Sequence, residues 1–282
     1  MRTVSRKAYG KLNLTLDVLG KRDDGYHDLR TVMQTVSLCD DVTVSVETGG
    51  AWVCECAVCA DESNLALRAA RAFFDRTGGD PNGLTVTIKK RIPVGGGMAG
   101  GSADAAATLH ALNDLYGNPL DDATLSAVGL SVGSDVPFCL LGGTALAEGR
   151  GEILTRLPPM PDCFFVLADP ASSVSTPELY RALDEFGEIE HPDTDAAIAA
   201  LKDGDLAALC GCMANVFEPV LDRENPLPRV LRDTLNLVGA MAARLTGTGC
   251  VEFGVFTDEA AADKAVEVLN GCGVPAFKAT NV

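Results

Sequence analysis

The sequence predicts an α+β chain in two domains, and three observations carry that expectation. The chain is 282 residues long, strand-like and helix-like patterns are mixed in both halves, and Pro158, Pro159 and Pro161 crowd one junction. A chain of this length buries a substantial core and more often forms two modest domains than one. Strands and helices that do not alternate strictly favour α+β over a doubly wound sheet. The texture change at residues 151–162 puts the expected division at 1–157 and 158–282.

Taken in order, Leu12-Asn-Leu-Thr-Leu-Asp-Val18 alternates apolar and polar residues as a half-buried strand does, and Val42-Thr-Val-Ser-Val46 repeats the pattern. Asn64 precedes residues 65–74, whose apolar side chains recur at helical spacing, and Gly78-Gly79 closes that helix. Leu84-Thr-Val-Thr-Ile88 is a third alternating strand. Ser102 is expected to cap an alanine-rich helix that runs to Tyr116 and stops at Gly117-Asn-Pro119. In the second half, Cys163–Ala168 reads as a buried strand and Pro177–Phe186 as a short helix. Residues 195–213 and 226–245 read as helices, 249–256 as a strand and 258–270 as a helix.

Composition narrows the function classes. A hydrophobic share of 47% with 22% charged residues is that of an ordinary soluble globular protein. No window approaches the ~18 apolar residues of a membrane helix. Met1-Arg-Thr-Val-Ser-Arg-Lys7 runs into Ala-Tyr-Gly-Lys11 instead of an apolar core, so no secretion signal is expected. The expected compartment is the cytoplasm. A net charge of −16 argues against nucleic acid or an acidic membrane as partner. Yet residues 1–30 carry seven Lys/Arg against four Asp, and Lys89-Lys90-Arg91 forms a second basic knot, local patches suited to an anionic ligand. The ten cysteines are spread thinly. Cys54, Cys56 and Cys59 form their one cluster; it lacks a fourth ligand and is read as small apolar side chains kept reduced.

The most informative stretch is Pro93-Val-Gly95-Gly96-Gly97-Met98-Ala99-Gly100-Gly101-Ser102, between a strand and a helix. Five glycines in seven positions let backbone N–H groups approach an anion, and the following helix adds its free N–H groups and dipole. Ser102 is placed to hydrogen-bond a phosphate. Gly95, Gly97 and Gly100 also satisfy the dinucleotide pattern G-x-G-x-x-G, but no acidic residue ends a second strand ~20 residues later. Gly96 and Gly101-Ser102 fit part of a P-loop without its lysine. A plain glycine hinge is the remaining reading.

This stretch, with Ala103-Asp104-Ala-Ala after it, resembles the ATP-phosphate motif of the galactokinase–homoserine kinase–mevalonate kinase–phosphomevalonate kinase superfamily. Its longer, extra-glycine form resembles the diphosphocytidyl-methylerythritol kinase branch. Ala8-Tyr-Gly-Lys11-Leu-Asn13-Leu and Asp24-Gly-Tyr26-His27-Asp-Leu are similar to that branch's N-terminal motifs. Leu245-Thr-Gly247-Thr-Gly249-Cys resembles its third motif, a glycine turn beside the nucleotide loop, although Glu252 is unusual there. The likeness spans Lys11 to Gly254.

The resemblance implies a two-domain small-molecule kinase fold, with an N-terminal ribosomal protein S5-like nucleotide-binding and catalytic domain and a C-terminal ferredoxin-like domain. It also implies transfer of the ATP γ-phosphate to the 2-hydroxyl of a cytidine diphosphate sugar alcohol in non-mevalonate isoprenoid precursor synthesis. Phosphoryl transfer needs an aligned hydroxyl, a proton acceptor and surrounding positive charge. In Ser131-Val-Gly-Ser-Asp135-Val-Pro137 the aspartate matches the catalytic base, and Lys11 its partner lysine. Alone, Asp135 reads as a turn or helix cap. Gly95, Gly96, Gly97, Gly100, Gly101 and Ser102 would hold the phosphates, and Asn64 and Lys90 match contacts near the adenine. Alone, those two read as a helix cap and a surface charge. Tyr26 and His27, with Tyr180 as an opposing aromatic face, match the cytidine pocket. Asn13 and Thr176 would meet the sugar or diphosphate. Mg²⁺ is implied, held mostly by the phosphates and water, with no dedicated protein cage. Asp104 reads as a helix-dipole residue. The alternatives are a kinase of the same superfamily acting on mevalonate, phosphomevalonate or homoserine, a dinucleotide-dependent oxidoreductase, and a non-catalytic nucleotide-binding relative. Expected partners are the small-molecule substrate and ATP, with no nucleic acid or membrane, for a monomer or homodimer.

Overall fold

The computed structural model describes residues 2–47, 49–79, 83–172 and 174–282. They fall into two compact units that do not follow the chain in two successive blocks. The first takes the described residues of Met1–Gly10, Cys39–Ile92 and Ala99–Gly142; the second takes Lys11–Leu38, Pro93–Met98 and those of Gly143–Val282. The boundary expected at 157/158 therefore falls inside the second unit. Two long strands, β1 (Arg2–Lys21) and β2 (His27–Glu47), contribute residues to both units.

In the first unit, β3 (Trp52–Cys56) pairs in parallel with β4 (Gly83–Lys89), and β4 pairs antiparallel with the end of β2 from Asp41↔Lys89 to Glu47↔Gly83. The alternation read at Val42–Val46 and Leu84–Ile88 is what these strands show: Val42, Val44, Leu84, Val86 and Ile88 are buried. Among the described residues, four helices belong to this unit. In α1 (Leu65–Thr77) the Asn64 side chain accepts from the Ala66 N–H, and Gly78 ends the helix at φ +69°. Helix α2 (Gly100–Leu115) is buried almost all round, from Ala103 to Leu112 on most positions, which small alanines permit. Helix α3 (Asp122–Val132) is capped by Asp121, and the short α4 (Val136–Leu141) follows Asp135.

In the second unit, β5 (Thr144–Gly149) pairs antiparallel with β2 at residues 29–34, and β6 (Ile153–Arg156) pairs with β5. The rest is built on β7 (Phe164–Ala168), α5 (Thr176–Asp184), α6 (Thr194–Asp203), α7 (Leu206–Cys212), β8 (Ala214–Asn215), α8 (Glu218–Glu224), α9 (Leu227–Leu237), β9 (Ala242–Leu245), β10 (Glu252–Phe256), α10 (Glu259–Gly271) and β11 (Ala276–Thr280). Strand β8 runs parallel to β1 through Thr15↔Ala214 and Leu16↔Asn215. The antiparallel sheet β11-β7-β10-β9 places its strands fourth, first, third and second in chain order, the ferredoxin-like arrangement. Leu231 and Leu235 of α9 and Ala262, Ala265 and Leu269 of α10 pack on Val166, Ala243, Phe256 and Ala276 of this sheet. A second cluster joins Leu179 and Leu183 of α5 to Phe217, Val220 and Leu221 at α8 and Leu245.

The mixture of helices and mostly antiparallel strands is the α+β class expected. Three boundaries are corrected. Residues 195–213 are two helices, because Gly204 takes a left-handed φ of +67° and Asp205 caps a new start through the Ala208 N–H. Residues 226–245 are a helix to Leu237 followed by strand β9, broken at Gly239 with φ +105°. The strand read from Gly249 begins at Glu252.

Candidate functional site

In the second unit, the first half of the glycine loop lies against the turn after β9. Gly95 and Gly97 take φ of +72° and +78°. A Cβ at Gly97 would run into the Thr246 carbonyl, and one at Gly247 would lie 2.8 Å from the Gly97 oxygen. Only glycine permits so close a pairing of two backbone turns. The Val251 N–H donates to Gly96 O at 3.3 Å, and the Thr246 hydroxyl lies 3.4 Å from Gly97 O. The two glycine motifs, about 150 residues apart in the chain, are thus one backbone feature.

Beside them, the Lys11 N–H donates to Met98 O at 3.1 Å. The Lys11 side chain is buried and its ammonium donates to Asn13 Oδ1 at 2.6 Å. Asn13 is buried in turn: its Nδ2 donates to Thr31 Oγ1 at 2.8 Å and its N–H to Thr246 Oγ1 at 3.1 Å. A buried amine needs such hydrogen-bond acceptors to offset its lost hydration. Lys11 and Asn13 sit two apart on β1 and so project to the same face.

On the aromatic side, His27 and Tyr180 stack directly, ring centroids 4.7 Å apart. They are each other's partner as placed, so a base would meet the outside of the pair or part it, not lie between an already separated pair. The His27 Nε2 lies 2.8 Å from Asp184 Oδ1, and Tyr180 meets the edge of Phe217 at 4.9 Å. Tyr26 is exposed, with the Arg150 guanidinium 4.8 Å over its ring. Thr176 begins α5, exposed, its hydroxyl 3.1 Å from that of Thr248 in the glycine turn. Hydrogen bonds and stacking thus tie the expected acceptor-side residues of this unit to their neighbours.

In the first unit, the loop's second half opens α2. Ser102 is not the N-cap: Ala99 occupies that position with φ +57°, and the helix starts at Gly100. The left-handed Ala99 turns the chain early, leaving Gly100, Gly101 and Ser102 as the first helical turn, whose N–H groups have no acceptor within the helix. Asn64 holds its expected cap and also donates to Cys59 O at 2.7 Å. Asp135 is half-buried and precedes α4 without capping it through its side chain.

Lys90 is no surface charge. Its side chain is 14% exposed, and its ammonium bonds Asp40 and, at 2.7 Å, Asp104 Oδ2. Asp104 is not a first-turn dipole residue but a buried ion-pair member one turn further along α2. Burial pushes its carboxyl up to about 7 against the pull of Lys90. Burial works against the Lys90 charge, and the two carboxylates still hold its pKa above the usual lysine value.

Each unit therefore gathers part of the expected set: Lys11, Asn13, the Gly95–Gly97 turn and the aromatic group in one, and Gly100–Ser102, Asn64, Lys90 and Asp135 in the other. Asp40, Asp184 and Arg150 were missed from sequence, each a lone residue contributed from a distant segment that no local motif marks; Thr246 lies inside the third motif but was not singled out there.

Two family models match, GHMP kinases N terminal domain over residues 64–143 and GHMP kinases C terminal over residues 197–274. The 4-diphosphocytidyl-2-C-methyl-D-erythritol kinase of Alkaliphilus metalliredigens is 40% identical over 96% of this chain and 94% of its own. That of Moorella thermoacetica is 42% identical over 92% of both. A crystal structure of 4-(cytidine 5'-diphospho)-2C-methyl-D-erythritol kinase superposes with a TM-score of 0.86 at 33% identity, covering 99% of each chain. A homoserine kinase from Cytophaga hutchinsonii shares the fold at a TM-score of 0.78 and 16% identity, covering 100% of this chain and 95% of its own. With a glycine loop that opens a buried helix and a ferredoxin-like sheet behind a second glycine turn, the chain belongs to the 4-diphosphocytidyl-2-C-methyl-D-erythritol kinases, a branch of the GHMP kinases.

Proposed function

We propose that this kinase transfers the γ-phosphate of ATP to the 2-hydroxyl of 4-diphosphocytidyl-2-C-methyl-D-erythritol, in non-mevalonate synthesis of isoprenoid precursors. Full-length relatives of that name at about 40% identity carry the reading. The backbone of the Gly95–Ser102 loop, opening α2 with unsatisfied N–H groups, suits the phosphates. Asn64 and Lys90 lie on the nucleotide side in this reading, Lys90 beside Gly100. The division of labour at 157/158 is supported by the two family matches falling on either side of it.

In the reaction, the 2-hydroxyl oxygen bonds to the γ-phosphorus as its bond to the bridging oxygen breaks, and the electron pair leaves on ADP. Asp135 takes the hydroxyl proton and Lys11, held by Asn13, places positive charge at the reacting oxygens. Among the described residues no group of three or more His, Cys, Asp or Glu is arranged for a metal ion. Mg²⁺ would arrive with the nucleotide, held mostly by phosphates and water, where it would neutralise charge on the transferring group. Tyr26, His27 and Tyr180 receive the cytosine, with His27 oriented by Asp184, and Asn13 and Thr176 meet the sugar diphosphate. No helix among the described residues is long and apolar enough to cross a membrane. The reading is of a cytoplasmic enzyme, monomer or homodimer.

The test is ATP turnover with Mg²⁺ on 4-diphosphocytidyl-methylerythritol, mevalonate, phosphomevalonate and homoserine, with Asp135→Ala alongside. Turnover of the cytidylyl substrate alone, lost in the variant by about 10²-fold or more, is expected. Turnover of another acceptor would overturn the cytidine pocket, and full activity of the variant would remove Asp135 from its role.

A further inference from the structure

Asp104 has no part in the proposed transfer, yet it is built into the start of the phosphate-binding helix. It is 4% exposed, with Oδ2 on Lys90 Nζ at 2.7 Å. Its Oδ1 is buried and has no hydrogen-bond partner. Asp40, which holds the same ammonium, is fully served: its Oδ1 accepts the Ile92 N–H at 2.9 Å and the Arg91 N–H, and its Oδ2 takes Lys90. The ammonium lies 3.2 Å from where a Cβ at Gly100 would stand. The cluster therefore abuts the first residue of α2, where free N–H groups and the helix dipole would meet phosphate.

Two carboxylates on one ammonium carry a net charge of about −1 when both are ionised and about 0 when one holds a proton. An anion at the head of α2 feels that difference. We infer that Asp104 is a positioning residue that, through Lys90 and the first turn of α2, couples nucleotide affinity to its own proton. Proton and nucleotide then favour one another, because each neutralises what the other meets, and the coupling is reciprocal. The groups facing Asp104 are Lys90 beyond β4, Asp40 on β2 and the Cys54 thiol on β3. The thiol stays neutral, pushed up to about 11 chiefly by burial. Asp104, whose Oδ1 has no hydrogen-bond partner, is the member placed to take up a proton, in keeping with its carboxyl near 7.

The inference rests on the proposed nucleotide site, and its test separates the two. MgATP affinity of the full chain is measured by calorimetry from about pH 6 to about pH 8.5, for wild type and Asp104→Asn. Wild type should weaken about threefold to tenfold more than the variant over that range, as expected for one charge acting at several ångströms. The titration of ATP itself is common to both and cancels. Parallel slopes would overturn the inference while leaving the nucleotide site standing, and absence of ATP binding at every pH would sink both. If Asp104→Asn does not fold, carboxyl-carbon NMR of the wild type decides: Asp104 should titrate near neutral and shift upward with ATP. Titration in the ordinary aspartate range, unmoved by ATP, would overturn it.

Discussion

Each unit has a largely buried cation set among an excess of carboxylates, and the two clusters resolve that excess differently. In the first, Lys90 serves Asp40 and Asp104. In the second, Arg232 on α9 grips Asp222 with both carboxylate oxygens at 2.6–2.7 Å. Its other terminal nitrogen lies 3.2 Å from Glu218 and 3.6 Å from Glu252 without hydrogen-bond geometry to either. Asp40 draws on the amides of Arg91 and Ile92, which lie past the end of β4 and outside its ladder. Glu252 has no such recourse. It stands in β10, flanked by β7 and β9, where main-chain amides are taken up in strand pairing. Both its oxygens are buried and unbonded, and burial raises its carboxyl well above the ordinary glutamate range, against the pull of Arg232. The lesson is that spare amide donors, more than the count of cations, decide whether the oxygens of a buried acid are satisfied.

The largest expected effect that sharpens this comparison is Arg232→Met. It removes the cation shared by three acids, two of them with carboxyls already raised chiefly by burial, and leaves Glu218 and Glu252 only the weaker pull of Arg244. A loss of about 3–5 kcal/mol in urea unfolding is expected. Glu218 also accepts the Leu245 N–H at 3.0 Å, so ATP affinity should fall as the glycine turn loosens. Lys90→Met should cost less, about 2–3 kcal/mol, because the amides of Arg91 and Ile92 still serve Asp40 and Asp104 can take a proton. A larger loss for Lys90→Met than for Arg232→Met would break the comparison.

Neither cluster was legible in the sequence, and the reason is physical. The glycine loop, the strands at 42–46 and 84–88 and the Asn64 cap are local: spacing and turn chemistry fix them within ten residues or so. Taken without the family resemblance, Lys90 read as a surface charge because its partner Asp40 is 50 residues away on another strand. Ser102 was displaced from the cap by Ala99 adopting φ +57°, a conformation nothing in alanine's chemistry announces. Tyr180 and His27 were expected to receive a base, and their mutual stacking follows from α5 packing through Leu179, Leu183 and Phe217, a tertiary matter. Glu252 was legible only as a departure from its motif, since a charged residue in an apolar strand signals a burial problem without naming the partner that answers it.

The smallest effect expected is the most discriminating. Glu252→Gln keeps the shape of the side chain and removes its ionisation. In wild type, a folded-state pKa above that of the unfolded chain means the folded state holds the proton longer. Stability should therefore fall as pH rises above about 4.5 and level off only once the folded carboxyl has ionised. The variant should lack that decline, so its advantage over wild type grows with pH, reaching about 1–2 kcal/mol by pH 8. Thermal unfolding across pH 5–8 reads this directly. Glutamine still leaves polar atoms unbonded in the same strand, which is why the gain is set well below what removing a full buried charge would give. A constant difference between the two proteins at all pH values would mean that Glu252 is ionised in the fold and that the nearby arginines, Arg232 foremost, suffice for it. The contrast with Asp40 would then lie in geometry and not in the supply of amide donors.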